Sequence, residues 1–127
     1  MEYGFTKTVN LTYEQAIEKV TDELKKEGFG ILTTIDVKET IKIKLNKDFD
    51  RYIILGACNP PFAYEALMAE VQIGLMMPCN VLVYERDGKV KVSGFNAGLI
   101  SMVSDNPKLA ELSVILTEKM KKVIDNL

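Results

Sequence analysis

Two short stretches hold the side chains best suited to chemistry, Ala57-Cys58-Asn59-Pro60 and Pro78-Cys79-Asn80-Val81. Each sets a thiol beside a carboxamide where a strand should meet another element. A cysteine just before a helix N-terminus feels the positive end of the helix dipole, which lowers its pKa and gives a thiolate at neutral pH. Cys58 stands in that position, and with Cys79 as a resolving thiol the pair would make a redox enzyme or a thiol sensor. Against this, Pro60 and Pro61 fill the first two helical positions and offer no N–H to an anion. No arginine stands near them, and the C-x-x-C spacing expected of paired reactive thiols is absent. Packing explains the same letters. Asn59 is an N-cap, Pro60 the favoured first helical residue, and Cys58 a small buried hydrophobe at a strand end. Cys79, beside the preset φ of Pro78, also reads first as packing.

The chain has no histidine, which removes the usual general base, the Ser-His-Asp and Cys-His arrangements, and nearly every catalytic zinc site. Two cysteines cannot by themselves close an all-thiolate zinc tetrahedron. The expectation is therefore no metal and no cofactor. What remains is a place for a small molecule. Tyr64 and Glu65, on the first turn after the prolines, and Asn80 are expected at one rim with Cys58, Asn59 and Cys79, giving a polar pocket with apolar walls. Met68, Met76 and Met77 are candidate lining, or gap-filling core. Gly98 to Met102 is read either as a short lid over that pocket or as a dimer seam.

The elements that must position these residues follow from periodicity. Residues 3–9 alternate as a strand with Tyr3, Phe5 and Lys7 on one side. Thr12 and Gln15 form a capping box. Tyr13, Ala16, Ile17, Val20 and Leu24 then recur at helical spacing up to Gly28, a residue suited to a left-handed C-terminal turn. Residues 30–37 read as a strand with Ile31, Thr33, Ile35 and Val37 on one face. Val37, Ile41 and Leu45 fit a short amphipathic helix, although Ile41, Ile43 and Leu45 also alternate like a strand. Residues 51–57 form a buried strand, followed by a helix after Asn59. The apolar run from Val71 to Pro78 fits no single type. Residues 80–95 form a hairpin about Asp87-Gly88, with Val83 opposite Val92, Val81 opposite Gly94, and Tyr84 and Lys91 on the other face. Asn106 caps and Pro107 opens a long C-terminal helix. Its apolar stripe is Leu109, Leu112, Leu116, Met120, Val123 and Leu127, with Lys119, Lys121 and Lys122 near the favourable end of the dipole.

A length of 127 residues with 47% apolar and 27% charged residues fits one soluble domain with a real core. The net charge of −2 argues against a nucleic-acid or acidic-membrane partner. No run approaches the ~18 apolar residues needed to cross a bilayer, and the opening MEYGFTKTVNLTYEQ has no basic start followed by an apolar stretch. The expected location is cytoplasmic, where both thiols stay reduced. The order of elements gives an α+β fold, an antiparallel sheet with helices packed mainly on one face. Its open edge strands favour a homodimer.

"ILGACNPPFAYEAL", "IGLMMPCNVLVYE" and "NPKLAEL" together resemble the prokaryotic family catalogued as domain of unknown function 302, over nearly the whole chain. The matching positions are Gly56, Cys58, Asn59, Pro60, Ala63, Pro78, Cys79, Asn80 and Tyr84. The resemblance implies a single α+β domain, residues 1–127, with a curved antiparallel sheet similar in topology to the TATA-binding protein, and a tendency to dimerise. It implies no activity. Where that family often has Asp-Pro after the hairpin, this chain has Asn96-Ala97, so no acidic group stands there. The reading of the sequence is thus a non-catalytic domain that binds a small molecule or a partner at the rim of the two Cys-Asn junctions. The alternatives are a Cys58/Cys79 redox protein and a purely structural interaction domain.

Overall fold

Five antiparallel strands in the order β1-β5-β4-β3-β2 form one sheet in the computed structural model, which describes residues 2–127. The strands are β1 Gly4–Val9, β2 Gly30–Asp36, β3 Tyr52–Cys58, β4 Cys79–Arg86 and β5 Lys89–Phe95. The helices are α1 Tyr13–Lys26, α2 Val37–Leu45, α3 Pro60–Ala69, α4 Ile100–Val103 and α5 Pro107–Asp125, with 3-10 turns at Val71–Met76 and Ala97–Leu99. This is the mixed α+β architecture expected, with the long C-terminal helix in place. Among the described residues no helix is long and apolar enough to cross a membrane.

Local chemistry accounts for the elements. The Thr12 hydroxyl accepts from the Gln15 N–H at 3.1 Å while the Gln15 side chain accepts from the Thr12 N–H at 3.0 Å, so two orphan amides of α1 are satisfied reciprocally. Gly28 then turns the chain at φ +87°, where a side chain would be strained. Asp36 caps α2 through the Glu39 N–H at 3.0 Å, which settles the ambiguous 37–45 segment as a helix. Asp87 and Gly88 have φ of +55° and +74°, as a two-residue hairpin of matched twist requires. The register is Val83 to Val92, Val81 to Gly94 and Tyr84 to Lys91, as the turn dictated. The untyped run after α3 is the 3-10 turn Val71–Met76.

α1 and α5 pack on one face of the sheet. Val20 and Leu24 meet Val81, Val83, Val92, Met120 and Val123 in a fully buried core. The helices come close because Gly94 has no side chain, and a Cβ there would lie 2.5 Å from the Met120 Sδ. Phe5 packs against this core, and Lys7 on the same strand donates to the carbonyl oxygens of Leu127 and Asp125 at 2.8 and 3.3 Å, where the helix dipole welcomes a cation. Tyr3 lies outside the strand and is 87% exposed, so it does not share that role.

One strand departs from the alternation read from sequence. Ile31 pairs with Ala57 and faces the core, but the register shifts between Ile31 and Thr33, and Thr33 and Ile35 pair with Gly56 and Ile54 on the opposite face. Val37 begins α2 instead of ending the strand. A single extra residue at a bulge reverses every side chain beyond it. A second core cluster, of Ile73, Ala97, Ile100, Leu109 and Leu112, lies between α3, α4 and α5.

Candidate functional site

β3 and β4 are neighbours, with Ala57 directly opposite Cys79, and Cys58 ends β3 one residue further on. Both cysteines therefore lie at the same end of adjacent strands. Both line a cleft walled by Phe62, Ala63 and Ala66 of α3, by Ile73, Met76 and Met77, by Ile100 of α4, and by Leu109, Leu112, Ser113 and Leu116 of α5. The free volume at its heart is about 50 Å³, room for a few waters where a single water needs roughly 10–15 Å³. No lining residue carries a formal charge. Ser113 is the polar group on the α5 side, and its hydroxyl is already bonded to the Ala110 carbonyl at 2.8 Å.

Burial governs the thiols. The Cys79 pKa is pushed from the ordinary 9.0 up to about 11, first because burial penalises the thiolate and second because Cys58 lies close. Both cysteines are free. Such a thiol is protonated at neutral pH and is not a nucleophile. Among the described residues, no three histidine, cysteine or acidic side chains gather closely enough to hold a metal ion.

Asn59 occupies the N-cap position of α3, yet its side chain makes no cap. Its Nδ2 donates to the Glu27 carbonyl at 3.1 Å, tying α3 to the end of α1. The prolines explain the difference. Pro61 leaves no N–H at the second helical position, one of the two that a cap would serve, so the carboxamide is free for a tertiary bond. Gly28 makes room for it, since a Cβ there would lie 3.2 Å from the Asn59 Nδ2.

Of the six candidate side chains, the structure brings Cys58, Asn59 and Cys79 to one cleft. Tyr64 and Glu65 face away from it. Tyr64 is 66% exposed and Glu65 pairs with Lys108 at 3.7 Å, and with Met68 they border a separate shallow depression. Asn80 is exposed opposite Gly56, on the far face of the sheet. Geometry forces both results. Side chains alternate along a strand, so an inward Cys79 turns Asn80 outward. On α3, the 100° step that points Phe62, Ala63 and Ala66 inward turns Tyr64 and Glu65 out. Met76 and Met77 do line the cleft while Met68 does not, and Ile100 brings the Gly98 to Met102 segment against it. The lining residues that the sequence reading missed, Phe62, Ala66, Leu112 and Ser113, carry a signal of helical spacing only, which ordinary core positions share.

Comparison with known proteins bears on the same residues. A family model described as domain of unknown function DUF302 matches residues 5–127. A crystal structure described as an uncharacterized conserved protein DUF302 from Bacillus stearothermophilus superposes with a TM-score of 0.91 at 27% sequence identity, covering 99% of this chain and 98% of that one. Among curated proteins, none matches the chain.

Proposed function

The chain belongs to the DUF302 family, whose description assigns no activity, and we propose that it is a non-catalytic domain binding a small uncharged ligand in the Cys58/Cys79 cleft. The observation that carries this reading is the cleft itself, an apolar space between two helices and the ends of two strands, bordered by thiols and free of charge. Such a lining rejects ions that cannot shed their charge and favours compact apolar groups. A thiol held protonated by burial supports binding over catalysis. A thermal-shift series with benzene-sized uncharged compounds tests it. At least one compound should raise the Tm of the native protein and leave Ala66→Phe, which fills the cleft, unmoved. Equal shifts in both proteins, or none in either, would sink the reading.

The partner reading is supported by a different surface. Leu67, Met68, Val71, Leu75, Met102 and Val103 are 40–84% exposed. They adjoin, because the Ser104 hydroxyl donates to Glu70 at 3.0 Å and Asn106 donates to the Ala69 carbonyl at 3.3 Å, holding the end of α4 beside the segment that follows α3. Contiguous apolar surface of this kind marks an interaction face, and we infer that a second copy of the chain covers it in a homodimer. Reduced thiols in the cleft fit the cytoplasm.

A further inference from the structure

We propose that the sheet face turned away from α1 and α5 carries a second binding site, for a planar aromatic anion that stacks beside Tyr84 and sets its charge against Lys91. Register defines this face. Val81, Val83 and Val92 are buried in the core, so their alternating neighbours Leu82, Tyr84, Lys91 and Ser93 point the other way. Two rows of side chains cross it. In one, Tyr84 stands between Tyr52 and Lys91; in the other, two residues along, Ser93 stands between Leu82 and Thr6. With Arg86 and Glu2 at its margins, these residues line an open depression of about 750 Å³, within the roughly 300–1,000 Å³ usual for small-molecule sites. It shares no residue with the Cys58/Cys79 cleft, so it stands independently of the reading of that cleft.

The side chains select the ligand. The Tyr52 and Tyr84 rings stack with centroids 5.4 Å apart and planes 26° from parallel, and the Phe49 ring meets Tyr52 edge-on at 6.0 Å. Such an aromatic ladder favours a further flat ring in offset stacking. Charge is the second criterion. Among the described residues Lys91 makes no ion pair, and Arg86 makes one long contact, to Asp50 at 3.7 Å. The lining holds these two cations and one carboxylate, Glu2, a local positive excess on a chain of net charge −2. Hydroxyls are the third. Thr6 and Ser93 share one hydrogen bond at 2.8 Å; each carries one hydrogen and the bond uses one, so the other O–H is left to donate to an anion. The groups lie within reach of one guest. Lys91 is directly opposite Tyr84, a Cβ separation of roughly 5 Å, and Ser93 follows it on the same face of β5, roughly 7 Å on. An aryl carboxylate and a nucleoside monophosphate share the chemistry that fits, a flat ring joined to an anionic group.

The test is isothermal titration of the full chain with 2-naphthoate and AMP, and with their uncharged counterparts 2-naphthamide and adenosine. At least one of the two anions should bind, and the tighter of them names the source, an aryl acid or a nucleotide. Its uncharged counterpart should bind at least about tenfold more weakly, because hydrogen bonds to a charged group are the stronger kind. Lys91→Met keeps the reach of the side chain without its charge; it should weaken the anion about tenfold and leave the uncharged counterpart unchanged. Tyr84→Leu should weaken both, through lost stacking. Lys91→Met lies outside the core and decides the matter should Tyr84→Leu disturb the sheet. Ala66→Phe, which fills the Cys58/Cys79 cleft, should bind the anion as the native protein does. No binding of either anion, equal binding of anion and uncharged counterpart, or binding kept in Lys91→Met but lost in Ala66→Phe overturns the proposal. So does a single-stranded oligothymidylate held far more tightly than AMP with an affinity that falls steeply with salt, the mark of a nucleic-acid platform.

Discussion

Cys79 is the residue whose chemistry its surroundings determine most directly. With its thiol raised from 9.0 to about 11 by burial and by Cys58, the protein should react with iodoacetamide at Cys79 more slowly at pH 8 than a peptide thiol does. The rate should climb only as the pH nears 11. Linkage has a definite sign here. The folded state keeps this proton above the pH at which the unfolded chain releases it, so the contribution to stability is complete below about pH 9 and is lost on rising from 9 through 11. The loss is about 3 kcal/mol at most. Urea unfolding at pH 8 and pH 11 should show native protein losing more than Cys79→Ala, and equal losses would disprove the assignment. Asn59 makes a second residue-scale case. Its bond to the Glu27 carbonyl is part-buried, so Asn59→Ala strands an acceptor and should cost about 1–2 kcal/mol in urea unfolding. A surface N-cap whose loss leaves the carbonyl to water would cost less.

At the scale of the element, the hairpin and α5 depend on one missing side chain. Gly94 sits opposite Val81 on β5, and the Met120 side chain of α5 occupies the space above it. Gly94→Ala would drive a methyl group to 2.5 Å from the Met120 Sδ, and overpacking of this kind costs roughly 1–3 kcal/mol. Pairing it with Met120→Val should recover part of that loss, as a double-mutant cycle on denaturant midpoints would show; strict additivity would mean the two do not share the space. The turn-forming glycines behave differently. Gly88 at φ +74° has nothing within 4 Å of an added Cβ, so its requirement is backbone conformation alone.

For the whole molecule, one group of exposed apolar side chains lies at the end formed by α3, α4 and the turn between Val71 and Met76, apart from Leu32 and Ile35 of β2 and Ile43 and Leu45 of α2. Val71 and Leu75 are 78% and 84% exposed and belong to the proposed dimer face. Val71→Glu with Leu75→Glu should convert a dimer into a monomer by light scattering after size exclusion, with the Tm of the monomer little changed because both side chains already face water. A native protein that is monomeric at high micromolar concentration would remove the partner reading. The cleft lies beneath this end, so ligand affinity measured above and below the dimerisation midpoint would reveal any coupling between the two.

Local signals were legible in the letters alone. The capping box at Thr12, the positive φ at Gly28 and in the Asp87-Gly88 hairpin, and the stripe of α5 each rest on contacts within a few residues, and each holds in the structure. The family was legible too, from the two Cys-Asn stretches in their order along the chain. The faces were not. A bulge between Ile31 and Thr33 turned half a strand over, and strand alternation sent Asn80 to the side of the sheet away from Cys79. The pairing of β3 with β4 brought residues 57 and 79 together across the sequence, and α5 closed the space above them. The sequence by itself determined which side chains carry chemistry and which elements hold them. Only tertiary structure decided which of them share a cavity, because that depends on long-range strand pairing, on register and on the helix laid across it.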